Sequence, residues 1–234
     1  MIACERGYLE IVKLLLDRGD IDIKAVDRYH GRNTLMIACE RRYLEIVKLL
    51  LDRGDIDIKA VDENNCNALM IACKLGQLEI VKLFLDRGDI DIKAVDRYNC
   101  NALLLACERG YLEIVKLLLD RGDIDINTKS SSGDTVLIVA CCHFKSDKSV
   151  HTLELLLGRR DLEVNATNQH GDTALIKLCK QFYEQETLAG TLLKRQDIDV
   201  NIKNKEGKTA LMIAKENGHK NIAKLLETRA GIEK

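Results

Sequence analysis

The chain copies itself. Met1–Asp27 reads MIACERGYLEIVKLLLDRGDIDIKAVD, and Met36–Asp62 repeats it with one change, Arg42 in place of Gly7. With the Ala of the IAC segment as marker, copies fall at Ala3, Ala38, Ala72, Ala106, Ala140, Leu178 and Ala214. Their spacings are 35, 34, 34, 34, 38 and 36 residues. A fixed period of this length marks a repeat array, because one unit is too small to bury its own apolar faces. Seven units are expected, at about 1–26, 27–61, 62–95, 96–129, 130–167, 168–203 and 204–234 of a single domain. The longer spacings place insertions of one, four and two residues in loops.

Each unit has three parts. A short helix such as Asn67–Lys74 carries small Ala72 and Cys73 at its centre. A longer helix, Leu78–Arg87, is apolar almost all round, which predicts burial between neighbouring units. An extended arm, GDIDIKAVD, then leads into a turn. Gly19, Gly54, Gly88 and Gly122 stand where the longer helix must stop, the left-handed position that glycine takes without strain. The turns hold Gly31, Asn65, Asn99, Gly133, Gly171 and Gly207, residues that tolerate positive φ.

This pattern resembles the ankyrin repeat, and the resemblance covers essentially the whole chain. Repeat 7 gives Gly207-Lys-Thr209-Ala-Leu211-Met-Ile-Ala214 and then Gly218-His219. Repeat 4 gives Ala106-Cys107-Glu-Arg-Gly110-Tyr111-Leu-Glu113-Ile114-Val115. The family's Pro is replaced by Thr34, Ala68, Ala102, Val136, Ala174 or Ala210, and its His by Met36, Met70, Leu104, Ile138, Ile176 or Met212. The resemblance implies an all-α solenoid of stacked helix-turn-helix units with extended β-turn fingers.

The two ends differ. Met1 falls where Met36 falls, inside the first helix, so repeat 1 has no turn and no polar outer face. A fragment of a longer array is expected, or an apolar N-terminal repeat that self-associates. Repeat 7 has Lys220, Ala223 and Glu227 where repeat 2 has Leu44, Val47 and Leu51, as a capping repeat would.

Composition narrows the function. The net charge is −1 although 31% of residues are charged, so nothing draws the chain to nucleic acid or an anionic membrane. No run of 18 apolar residues exists, so membrane insertion is not expected. Six of the nine Cys recur in one column: Cys4, Cys39, Cys73, Cys107, Cys141 and Cys179. Copies one repeat apart are roughly 10 Å from each other, too far for a disulfide. They read as small reduced core residues of a cytoplasmic, reducing compartment.

No constellation carries chemistry. Cys141-Cys142-His143 with His151 matches no common zinc spacing, and Cys141 belongs to the core column. Cys66 and Cys100 stand at equivalent turn positions and are expected to be exposed. The pairs Asp20/Asp22, Asp55/Asp57, Asp89/Asp91 and Asp123/Asp125 read as solvated arm residues. The column Arg18, Arg53, Arg87, Arg121, Arg159 and Arg195 suits the negative end of each helix dipole, with Asp17, Asp52, Asp86 and Asp120 beside it to offset the charge. No catalytic motif, metal site or cofactor is expected.

In ankyrin proteins partners meet the turn tips and the exposed ends of the first helices. By resemblance those positions are Tyr29, Asn64 and Tyr98 at the tips, and Glu40/Arg41, Lys74/Leu75 and Glu108/Arg109 after the Ala-Cys pair. Tyr29 and Tyr98 are aromatic anchors on a rigid scaffold, and Leu75 makes a local apolar spot. The expected function is binding another protein, with a non-catalytic targeting region of a larger effector or enzyme as the alternative. Asn127, Asn165 and Asn201 close the segments DIDIN, LEVN and DIDVN, and resemble the ankyrin Asn that an asparaginyl hydroxylase modifies.

Overall fold

The computed structural model describes residues 1–19, 21–142 and 147–231. Asp20 and His143 lie outside the described residues. Those residues form fourteen helices and no named strand. In chain order these are α1 (Ile2–Glu5), α2 (Leu9–Asp17), α3 (Thr34–Glu40), α4 (Leu44–Arg53), α5 (Ala68–Lys74), α6 (Leu78–Arg87) and α7 (Ala102–Arg109). They continue with α8 (Leu112–Arg121), α9 (Val136–Cys142), α10 (Asp147–Leu157), α11 (Ala174–Cys179), α12 (Glu186–Leu193), α13 (Ala210–Glu216) and α14 (Lys220–Arg229). An isolated antiparallel bridge joins Val26 and Asn33 at the base of the first finger.

The chain divides into two compact units, Met1–Ala106 with Leu117–Ile124, and Cys107–Lys116 with Asp125–Lys234. In the first unit, α1 packs on α3 and α3 on α5, while α2 packs on α4 and α4 on α6. In the second, α9, α11 and α13 pack in succession, and so do α10, α12 and α14. First helices thus meet first helices and second helices meet second helices, as stacked units require.

Local chemistry explains each boundary. Asn33 and Asn67 cap the first helices, their Oδ1 atoms accepting from the Met36 and Met70 N–H groups at 3.0 and 2.9 Å. Thr173 and Thr209 do the same in the second unit. A side-chain cap of this kind contributes about 1 kcal/mol. The N-cap residues of α2, α4, α6, α12 and α14 make no side-chain cap bond. Helices α4 and α6 start from a tight turn in which the Tyr43 and Gln77 N–H groups return to the Ala38 and Ala72 carbonyls, each at 3.0 Å. They stop at left-handed Gly54 and Gly88.

The tight turn needs positive φ, which Gly7 supplies in repeat 1 and Arg42 in repeat 2, at 72° and 64°. The one difference between the two copies therefore falls at a strained position. A Cβ on Gly7 would come within 2.6 Å of the Tyr43 ring. The next unit along from Arg42 carries the slimmer Gln77 in that place. Left-handed backbone costs an L-residue about 1–2 kcal/mol. The exposed bond from Arg42 Nη2 to the Leu75 carbonyl, 2.8 Å, recovers less than that. Arg42→Gly is expected to raise stability by up to about 1 kcal/mol; an unchanged or lower thermal midpoint would refute this.

The core of the first unit runs through Leu35, Met36, Leu50, Leu69, Met70 and Phe84, all fully buried. The second helices are not apolar all round in effect. Ile46, Val47, Leu50 and Leu51 of α4 are buried, whereas Glu45 is exposed and pairs with Lys48 at 2.8 Å. The core cysteines Cys4, Cys39 and Cys73 are buried there too, and burial drives their thiol pKa values up. In the second unit Cys179 is pushed up to about 12 by the same cause.

The arginine column does more than face a helix dipole. Arg87 Nη1 donates to the Leu51 carbonyl at 2.9 Å and Arg121 Nη1 to the Leu85 carbonyl at 2.8 Å, each in the last turn of the preceding unit's second helix. Arg53 reaches the Leu16 carbonyl, and in the second unit Arg195 reaches the Leu157 carbonyl. Each guanidinium is held by the aspartate two residues on: Asp55, Asp89, Asp123 or Asp197. The carboxyls of Asp89 and Asp197 sit below their ordinary pKa because of these bonds. So Asp55, Asp89 and Asp123, each the first of its arm pair, are exposed as expected and are structural partners as well. Asp52, Asp86 and Asp120, which stand next to these arginines in sequence, make no ion pair with them among the described residues. The helix-end placement is right, but the acceptors are the neighbouring repeat's carbonyls.

Candidate interaction surface

The fingers of the first unit are built on aspartates, where those of the second use Ser130, Asn168 and Asn204. Asp27, Asp62 and Asp96 fold their side chains back onto the turn N–H groups. Asp62 Oδ1 accepts from Asn64 and Cys66 at 2.8 and 2.9 Å, and Asp96 Oδ1 from Tyr98 and Cys100 at 2.9 Å each. Neighbouring fingers are then tied by backbone bonds, Glu63 N–H to the His30 carbonyl at 2.9 Å and Arg97 N–H to the Asn64 carbonyl at 2.8 Å. Asn65 Nδ2 adds a 2.6 Å bond to the Val95 carbonyl. These bonds hold the tips in place, so the side chains they display are pre-positioned.

Tyr29 is 84% exposed at the first tip. Beside it, His30 Nδ1 meets Glu63 Oε1 at 2.9 Å across adjacent fingers. Tyr98 is also exposed; the Arg97 guanidinium lies 4.9 Å from its ring centroid and donates to its hydroxyl at 2.8 Å.

Two grooves run between these fingers and the first-helix ends. One, of about 300 Å³, brings together Tyr29, Glu40 and Arg41 with Arg32. The other, of about 330 Å³, brings together Glu40, Asn64, Lys74, Leu75 and Tyr98 with Arg32, Ile71 and Arg97. Seven of the nine sequence-expected contact residues thus line two adjoining recesses in the first unit. Glu108 and Arg109 are exposed but lie in the second unit, and line neither groove.

Other expectations change. Cys66 is buried, not exposed. Its N–H is bonded to Asp62, and burial, with Asp62 and Asp96 near, pushes the thiol up to about 11. Cys100 is half-buried. Asn127 and Asn165 use both ends of their carboxamides on the following arm. Asn127 Nδ2 donates to the Asp161 carbonyl at 2.7 Å while its Oδ1 accepts from Glu163 N–H at 2.9 Å, and Asn165 does the same to Asp197 and Asp199. Asn201 is exposed, and its N–H bonds Asp199.

Three features escaped the sequence reading. Asn33 and Asn67 are double-ended: besides capping, their Nδ2 atoms donate to the Asp57 and Asp91 carbonyls, at 2.9 and 2.8 Å. The recurrence of Asn33, Asn67 and Asn101 at 34-residue spacing was the available signal. The two-residue insertion of repeat 6 displays Phe182, 89% exposed, edge-to-face with Tyr183 at 4.9 Å. No spacing rule marks a loop aromatic as exposed. Glu184 of the same insertion accepts from the Ile222 N–H at 2.9 Å, capping α14 from the preceding unit.

Among the described residues no group of three or more His, Cys, Asp or Glu is placed to hold a metal ion, and no helix is long and apolar enough to cross a membrane.

The family model described as ankyrin repeats (3 copies) matches four overlapping stretches, 1–96, 55–130, 90–168 and 137–234. The chain belongs to the ankyrin-repeat family. Among solved structures it is similar to the human ASB11 ankyrin repeat domain, with 22% identity, 97% of this chain and 95% of the other covered, and a TM-score of 0.78. It is similar to the ankyrin repeat domain of Bcl-3, an IκB-family protein, at 26% identity, with coverage of 97% and 96% and a TM-score of 0.78. It also resembles a chain in the complex of a predatory endopeptidase from Bdellovibrio bacteriovorus with an immunity protein, at 28% identity, coverage of 87% and 99%, and a TM-score of 0.71. The comparison with curated proteins found no match. The caps Asn33 and Asn67 stand where repeat 7 has Thr209, and each adds a second bond that a Thr side chain cannot make, through its Nδ2.

Proposed function

We propose that this ankyrin-repeat chain is a protein-binding scaffold whose partner lies over the finger tips and first-helix ends of the first unit. The observation that carries the reading is the pair of exposed tyrosines, Tyr29 and Tyr98, fixed beside two grooves by hydrogen-bonded fingers. An aromatic displayed on a rigid frame binds with little ordering cost. Catalysis is disfavoured because the groove carboxylates Glu5, Asp27, Glu40, Asp62 and Asp96 are committed to turns and ion pairs. Nucleic acid is disfavoured because the arginine column is spent on carbonyls and aspartates. The buried, free core thiols support a reducing, intracellular setting. The reading is the same if the chain serves as the targeting region of a larger effector or enzyme.

The test is affinity capture with wild type and the Tyr29→Ala/Tyr98→Ala variant. Truncating two anchors costs about 2 kcal/mol or more each where they are hot spots. Partner recovery should fall at least tenfold, and full recovery by a folded variant rules the surface out.

A second copy of the chain is a further proposed partner, at repeat 1. Ile11 is 46% exposed while its counterpart Ile46 is 2% exposed, and Leu14 beside it is 67% exposed. Wild type is expected to gain mass with concentration in sedimentation, and Ile11→Glu/Leu14→Glu to remain monomeric. A wild type that is monomeric at every concentration removes this partner.

A further inference from the structure

Repeat 3 departs from its sister copies where the first helix ends. Repeats 1, 2 and 4 carry Glu5-Arg6, Glu40-Arg41 and Glu108-Arg109 there, whereas repeat 3 carries Lys74-Leu75. That change alters how charge is settled in the two grooves. In the first, the charges close on one another: Arg41 pairs with Glu5 at 3.1 Å and Arg32 with Glu40 at 2.7 Å. In the second, the acidic groups are already spent. Asp62 is buried, holds its own turn and faces Arg32 Nε at 3.6 Å; Asp96 holds the next turn; Glu40 is taken by Arg32.

The exposed cations of the second groove, Lys74 and Arg97, stand outside any ion pair among the described residues, whereas Asp62 and Asp96 are buried and turned onto backbone N–H groups. Lys74 is exposed and makes no ion pair among the described residues. Arg97 is bonded to the Tyr98 hydroxyl and makes no ion pair among the described residues, with the Glu63 and Asp96 carboxylates near enough to act on its charge. Beside them Ile71, Leu75 and Tyr98 give the groove an apolar wall. Its volume of about 330 Å³ is small for a free ligand but sufficient for side chains of a docked segment.

We infer that this groove is the selective part of the scaffold and takes an acidic side chain next to an apolar one on a partner protein's segment. The inference rests on the binding reading given above and adds the chemistry of the partner. A carboxylate entering here gains charge-assisted hydrogen bonds from Lys74 and Arg97, while its apolar neighbour covers Leu75. A basic segment would meet the exposed charges of Lys74 and Arg97 and be turned away.

The near-identical copies supply their own control. Lys74→Glu/Leu75→Arg rewrites the first-helix end of repeat 3 into the residues of repeats 2 and 4, which fold with them. The experiment pans a phage-displayed library of random 12-residue peptides on the whole wild-type chain. The selected peptides are then measured against three proteins: wild type, Lys74→Glu/Leu75→Arg, and Tyr29→Ala/Tyr98→Ala. Peptides with Asp or Glu beside Leu, Ile, Met or Phe are expected, with binding to Lys74→Glu/Leu75→Arg weakened at least tenfold and its thermal midpoint little changed. Weakening of wild-type binding on going from 50 to 500 mM salt is expected as well. Peptides without an acidic residue, equal binding to wild type and Lys74→Glu/Leu75→Arg, or no selected peptide would overturn the inference. Peptides that lose binding only to Tyr29→Ala/Tyr98→Ala overturn it but leave the proposed surface standing. Peptides indifferent to both variants remove the inference and the surface together.

Discussion

Gly133→Ala is expected to cost the fold about 3 kcal/mol, while the same change at Gly207 costs about 1. Both glycines sit at finger turns with positive φ, 78° and 75°, so both substitutions carry the left-handed penalty. They differ in what an added Cβ meets. At Gly133 it would stand 2.8 Å from the Gln169 N and 3.0 Å from the Asn168 Cα, backbone atoms of the next finger. That backbone is anchored, since Gln169 N–H donates to the Ser132 carbonyl at 3.0 Å. It cannot step aside without breaking the tie between fingers. At Gly207 nothing lies within 4 Å. Urea melts of the two variants read the difference; equal midpoints would show that finger contact adds nothing to the turn strain.

The second large effect is in the core. Phe84 is fully buried on α6, where the sister copies carry Leu15, Leu50 and Leu118. Phe84→Ala is expected to lose about 3–5 kcal/mol, the transfer energy of the ring plus a cavity that the packed helices cannot close. Phe84→Leu restores the sister residue and should lose less than about 1.5 kcal/mol. Denaturant midpoints decide; a Leu variant as unstable as the Ala variant would mean that repeat 3 has been rebuilt around the ring and is no longer interchangeable with its neighbours.

The fold was almost fully legible in the sequence, because repetition prints the same signal several times. Helix stops at Gly54 and Gly88 and finger turns at Asn65 and Gly133 all fall where the copies align. What the sequence treated as equivalent, the structure separates. Gly and Asn looked interchangeable at the finger turn, yet an added Cβ at Gly31 would meet the next finger's backbone at 3.6 Å, against 2.8 Å at Gly133. That distance depends on how closely neighbouring fingers approach, which no single repeat encodes. The burial of Cys66 has the same origin: its position in the unit is a turn, but the groove walls around it come from the neighbouring units. Of the nine surface residues expected by resemblance, seven line two grooves. The division into a self-neutralised groove and one whose exposed cations stand outside the ion pairs needed the ion-pair geometry. Phe182 was passed over because an insertion has no sister copy to be read against.

Arg53, Arg87, Arg121 and Arg195, at the ends of second helices, each address a main-chain carbonyl of the unit before. A carbonyl is present whatever side chain the position carries. The junction is therefore written in a form that does not depend on the spelling of either partner. A unit of this kind can be duplicated, deleted or moved along the gene and still find its docking point on arrival. Side-chain-to-side-chain joints would have needed matched changes on both sides of every new boundary. The near-verbatim copies at the start of the chain are what such a self-addressing joint permits, with each new copy free to diverge afterwards at its exposed edge.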